Sequence, residues 1–118
     1  MMQLILWLIL AAIHAMPALA FFQPEKLTSL YHLQPDNPLF LLMHHRAGLF
    51  FAVFVACIFA AFVPEGRRLA VLVVGISMVS FLVLYWQAGS PAPLRKIAQV
   101  DLAGLPVLAG VAWLAFRQ

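Results

Sequence analysis

The chain has 118 residues, of which 65% are hydrophobic and only 9% charged. An ordinary soluble domain is roughly one-quarter charged, so a water-facing globular surface is excluded, and the mean hydropathy of +1.01 points to a membrane domain. The net charge of +3 rests on few residues placed near the ends of apolar runs, where Lys and Arg meet lipid headgroups, and gives no argument for nucleic acid. The single cysteine, Cys57, lies inside an apolar run, which excludes an intramolecular disulfide, a C-x-x-C redox pair and a cysteine-based zinc site.

Four apolar stretches are long enough to cross about 30 Å of hydrocarbon. They cover residues 2–22, 39–63, 69–88 and 97–116, and the whole chain, 1–118, reads as one four-span domain. None shows the alternation of a β-strand, and a span must satisfy its own backbone hydrogen bonds, so each is predicted to be a helix. In the first span, Ala18-Leu19-Ala20 resembles a signal-peptidase site, but Met1-Met2-Gln3 lacks the basic residues of a secretion signal, so the segment is read as a retained span. The connection after it holds Pro24 and Glu25, suited to a helix first turn, followed by Leu27, Leu30, Tyr31 and Leu33 at helical spacing. A short amphipathic helix over 24–33, lying at the interface above the mouth of the bundle, is predicted.

In the second span Gly48, Ala52, Ala56 and Ala60 form a ladder of small residues that permits close helix approach. Residues 64–68, Pro-Glu-Gly-Arg-Arg, form a tight turn into the third span, where Ser77, Ser80 and Gln87 fall near one face and are expected to hydrogen-bond between helices. The stretch 89–96 supplies the third connection, and Pro106 is expected to bend the last helix below Asp101. Trp7, Trp86 and Trp113 lie toward span ends, as in aromatic belts. Basic residues are nearly balanced between the two sides; the Arg67–Arg68 pair tips the expectation toward both termini in the cytoplasm.

The fold class expected is therefore all-α: an integral membrane four-helix up-and-down bundle with an interfacial helix between the first and second spans. Threading the spans up and down gathers the polar groups into one half of the bilayer. His14 lies ~12 Å below that interface and Arg46 ~10 Å below it, with His44 and His45 just above. Tyr85 and Gln87 end the third span there, and Asp101 opens the fourth. An ionisable group in hydrocarbon faces a partner, a cavity or a ligand. Arg46 is thus expected to face Asp101, either locking two helices together, snorkelling to headgroups, or gripping a carboxylate or phosphate.

Four functional readings follow. The first is a binding or scaffolding protein whose Arg46, Asp101, His45, His44, His14, Tyr85 and Gln87 cluster holds an anionic or amphiphilic small molecule or lipid. The second is a b-type haem protein, with His14 and His44 or His45 as axial ligands; no other cofactor or metal is predicted. The third is a small-molecule or proton-coupled transporter working as a homo-oligomer, although the first span lacks the membrane glutamate of small multidrug transporters. An enzyme is the fourth: His45, Tyr85 and Asp101 suit acid–base work, but no phosphate loop, H-E-x-x-H or Ser-His-Asp spacing identifies a reaction, and a non-enzymatic role is favoured.

The four spans, the stretch Pro24-Glu-Lys-Leu-Thr-Ser-Leu-Tyr31, the motif His44-His-Arg-Ala-Gly48 and the aspartate of the last span together resemble the DoxX-like group of small bacterial membrane proteins. The resemblance covers most of the chain in architecture. It implies a bacterial inner-membrane location and carries no catalytic residues; the redox association of some members finds no thiol pair here, since Cys57 stands alone.

Overall fold

Long apolar runs without polar alternation bury their backbone polar groups most simply by bonding them within the run, and helix is the result. The structure, a computed structural model, describes residues 2–31 and 33–117, without the side chains of Leu30, Tyr31 and Pro93. Every regular element in it is helical: α1 (Met2–Phe22), α2 (Glu25–Tyr31), α3 (Leu39–Phe62), α4 (Arg67–Gln87) and α5 (Arg95–Phe116). Single 3₁₀ turns at Pro64–Gly66 and Ala92–Leu94 lead into α4 and α5. The four long helices have 21, 24, 21 and 22 residues, and each is long and apolar enough to cross a membrane. They form an elongated helical bundle measuring 48 × 29 × 18 Å.

The connections show how the ends are finished. The expected turn over 64–68 is shorter, because Arg67 and Arg68 belong to the first turn of α4. Arg67 bends back on α3, its Nε donating to the Ala60 carbonyl at 2.7 Å and its Nη2 to the Ala61 carbonyl at 3.1 Å. Those carbonyls sit in the last turn of α3 and have no intrahelical donor, so the cation both caps them and meets the negative end of the helix dipole. At the end of α4, Gly89 adopts φ 85°. The reversal lets the Gly89 amide donate to the Trp86 carbonyl at 3.1 Å and the Ser90 amide to the Tyr85 carbonyl at 3.0 Å. This is a Schellman closure, and it needs a residue tolerant of the left-handed region.

Each long helix turns one stripe inward. On α5 the buried positions are Ala98, Asp101, Gly104, Leu108, Val111 and Ala115, three or four apart. On α1 they include Trp7, Leu10, Ala11, His14 and Ala18. The apolar core joins Trp7 and Leu10 to Cys57, Val74, Met78 and Val111. Trp7 corrects the expectation of an interfacial belt: it is fully buried, whereas Trp86 and Trp113 are exposed. Its bulk is taken up by the small residues Ala60, Ala61 and Cys57 of the same cluster. The small-residue ladder is corrected as well. Ala52 is exposed, and the buried seam of α3 runs instead through Ala47, Val53, Cys57, Ala60 and Ala61. Four residues turn a helix by about 400°, so a strict i+4 ladder winds off the packed face within a few steps.

Close approach is concentrated at Gly104, where a Cβ would stand 2.9 Å from both Ile13 Cδ1 and Met78 Cε. Its missing side chain lets α1, α4 and α5 meet at one level, and α5 continues as helix through Pro106. Between helices, the neighbours pair in opposite order along the chain. Gly104 meets Ile13 and Gly110 meets Leu6, while Gly75 approaches Leu108 and Arg68 Nε donates to Ala115. Gly48 likewise approaches Phe21, near the end of α1. α1 packs most extensively on α3, and α4 on α5, whereas α3 and α4 touch more sparingly.

The predicted helix after α1 exists as α2, one residue after Pro24 and ending before Leu33. Leu27 is its anchor, fully buried against Ala20 and Ala47 with Phe40 and Met43 alongside. Thr28 Oγ1 donates to the Leu33 carbonyl at 2.8 Å and ties down the chain that follows. The predicted contributions of the Leu30 and Tyr31 side chains lie outside the described residues. α2 packs against α1, α3 and the Ala92–Leu94 turn, closing one end of the bundle.

Candidate functional site

Two lateral clefts open near the end that α2 covers, one on either side of Phe50. The sparing contact of α3 with α4 leaves the first. It has a volume of about 400 Å³, and its lining includes Arg46, Leu49, Phe50, Ser77, Phe81 and Leu84. Arg46 and Phe50 are one helical turn apart, so their side chains share a face. The guanidinium carbon lies 4.8 Å from the centre of the Phe50 ring and 5.2 Å from that of Phe81 on α4. Such contacts are worth about 0.5–2 kcal/mol each, the higher figure when water is excluded. No hydrogen bond or ion pair is made by Arg46 among the described residues, and its five N–H groups lie in a cleft whose other polar side chains are Ser77 and Ser80.

The second cleft lies between α1 and α5 and also encloses about 400 Å³. Its polar residues are His14, Lys96 and Asp101, set among Ile13, Pro17 and Phe50. The inward stripes of α1 and α5 place His14 and Asp101 there, 1% and 6% exposed respectively, while Lys96 stands exposed at the start of α5. His14 Nδ1 donates to the Leu10 carbonyl at 2.8 Å, one turn earlier on the same helix. Its Nε2 is buried without a hydrogen-bond partner.

Phe50 divides the two clefts. Its ring centre is 6.1 Å from the His14 ring on one side and has Arg46 over it on the other. Arg46 and Asp101, expected face to face, stand in different clefts and form no ion pair.

The remaining predicted residues are distributed around this frame. His44 Nε2 donates to the Phe21 carbonyl at 2.9 Å, and its ring packs against Phe21 and Phe40, joining the start of α3 to the end of α1. His45 is exposed. Neither line the cleft that holds His14, so the structure does not bring the histidines considered for haem onto one cavity; nor do three His, Cys, Asp or Glu side chains converge among the described residues. Tyr85 stacks on Phe81 with centroids 6.1 Å apart, extending the aromatic wall behind Arg46. Gln87 is exposed at the end of α4. Ser80 corrects the expectation of an interhelical bond: its hydroxyl donates to the Ser77 carbonyl of its own helix at 3.2 Å.

Sequence reasoning missed Phe50, Phe81 and Lys96. The first had a signal, its position one turn from Arg46. Phe81 had none without the pairing of α3 and α4, and Lys96 is five residues from Asp101, well off its face by helical period. A larger groove, about 630 Å³, runs along α4 alone and gathers only apolar side chains and Ser80.

Compared with known proteins, the chain matches no family model, no curated protein and no solved structure.

Proposed function

We propose that the chain is an integral membrane protein, an up-and-down bundle that holds an anionic amphiphile in the cleft between α3 and α4 through Arg46. The opposite order of contacts between neighbouring helices supports the topology. Outward apolar residues such as Leu41, 73% exposed, and Ile76, 69% exposed, support the membrane setting, because hydrocarbon meets them at no cost and water does not. α2, with Leu27 buried and Glu25 and Ser29 exposed, suits an interfacial position.

The observation that carries the reading is Arg46 itself, held by two aromatic rings in a largely apolar cleft where it makes no hydrogen bond among the described residues. Placing an arginine at mid-membrane costs about 2.5–3.5 kcal/mol on insertion scales. Two cation–π contacts offset about 1–4 kcal/mol of that, but leave the donors unmatched. Hydrogen bonds to a charged group contribute about 1.5–3 kcal/mol each, and a phosphate or carboxylate accepts two in the planar geometry a guanidinium offers. The aromatic rings fix the direction of that fork, while Leu49, Val53 and Leu84 line the path of an acyl chain. A lipid phosphate and a free fatty carboxylate share this chemistry.

Native mass spectrometry of the full chain in an amine-oxide detergent separates the sources. Dioleoylphosphatidic acid and oleate serve as the anionic probes and dioleoylphosphatidylcholine as the zwitterionic one. The wild type is expected to prefer at least one anionic probe over the zwitterion by about tenfold or more, equivalent to one charge-assisted bond. Arg46→Gln should lose that preference and keep its elution volume. An Arg46→Gln protein that unfolds in detergent assigns the residue to structure, and a preference that survives the substitution places the headgroup elsewhere.

A further inference from the structure

The α1–α5 cleft carries chemistry that the Arg46 reading does not use. The Leu10 carbonyl can only accept a hydrogen bond, so the His14 ring must donate from Nδ1. In the neutral ring the other nitrogen, Nε2, is then a lone-pair acceptor, and it is the atom left buried without a partner. Asp101, on the facing helix, presents carboxyl oxygens to the same cleft. A third acceptor comes from the backbone. Pro17 has no N–H to give the Ile13 carbonyl one turn earlier, which leaves that carbonyl without its usual helical donor beside the cleft. The cleft therefore offers acceptors from two helices and, within its buried part, no donor among the described residues. Each unmatched buried acceptor is costly in an apolar setting.

We infer that this cleft is a second binding site, taking a neutral amphiphile whose hydroxyl groups donate to the Asp101 carboxyl and, with a small turn of the buried His14 ring toward the cleft, to its Nε2, while its chain lies against Ile13, Met16 and Val100. Charge selects the hydroxyl over an ammonium donor. Lys96 flanks the cleft, so a cationic head would meet a like charge at its mouth. The volume of about 400 Å³ accommodates a small polyol head and the first part of a chain. This inference stands apart from the Arg46 reading, sharing with it only the Phe50 partition.

The test uses the full chain in an amine-oxide detergent, which brings no hydroxyl of its own, and three probes of one chain length: 1-monooleoylglycerol, methyl oleate and oleylamine. Native mass spectrometry should show monooleoylglycerol binding about tenfold or more tighter than methyl oleate, the difference one or two hydrogen bonds make, with oleylamine weaker than monooleoylglycerol. His14→Phe and Asp101→Leu should each bring monooleoylglycerol to within about threefold of methyl oleate, a residue of less than one hydrogen bond. Two variants are used because either alone can disturb packing, and the ranking of probes on the wild type needs neither. Equal binding of monooleoylglycerol and methyl oleate overturns the inference, since the acceptors would then be satisfied by water. Tighter binding of oleylamine overturns it in favour of a cation site. An unchanged preference in both variants overturns it by locating the hydroxyl elsewhere.

Discussion

The two ends of the bundle are built on different principles. Around Trp7, Cys57, Val74 and Val111 the helices close on small residues, and these four side chains have no exposed surface. Around Arg46, His14 and Asp101 the same four helices stand apart enough to leave two clefts, with an aromatic ring as the wall between them. Close packing of uncharged side chains holds helices together where apolar burial gives little net drive. At the other end the polar groups are not paired with each other and line the walls of the clefts. The difference is one of packing: one end closes on small residues, and the other leaves cavities walled by polar and aromatic side chains.

On the proposed function, substitutions at the two ends should separate stability from binding. Trp7→Ala strikes the packed end hardest, and unfolding by denaturant in detergent should show a loss of about 3–5 kcal/mol, as for large-to-small core changes. Trp7→Phe should cost far less than Trp7→Ala, because the indole Nε1 is buried without a partner and its removal relieves an unmatched donor. Arg67→Ala frees the Ala60 and Ala61 carbonyls and should lower stability by about 1–3 kcal/mol in the same assay. Arg46→Gln belongs to the open end: losing two aromatic contacts while removing a charge from a largely apolar cleft should leave stability within about 1 kcal/mol of wild type, with the whole effect read in anionic binding. Finally, Cys57 is fully buried at the packed end, so a maleimide should label it only after denaturation, while rapid labelling of the folded protein would show that end to be loose.

Much of the fold was legible because length and hydropathy determine a long apolar helix almost alone. The runs ending at Phe22 and Phe116 became helices with those ends, and Pro24-Glu25 marked the start of α2. The half of the bundle that each polar residue occupies was legible too: His14 and Asp101 are expected in one half, and they line one cleft. What the sequence hid was rotation about each helix axis. A helix apolar on every side carries no amphipathic signal to say which stripe turns inward. Trp7 was therefore read as interfacial and is buried, Ala52 was read as a packing residue and is exposed, and His45 was grouped with residues it does not join. The same blindness hid Phe50, an ordinary apolar residue in sequence and the partition of the site in space.

The most direct test of the central claim is photo-crosslinking of the full chain, reconstituted in bilayers, with a phosphatidic acid carrying a diazirine near the head of its acyl chain, and mapping of the adducts by mass spectrometry. The account predicts adducts concentrated on Leu49, Ser77, Phe81 and Leu84 of the α3–α4 cleft, and their loss in Arg46→Gln. Adducts spread evenly over outward residues such as Leu41, Ile76 and Leu102, and indifferent to Arg46, would contradict it.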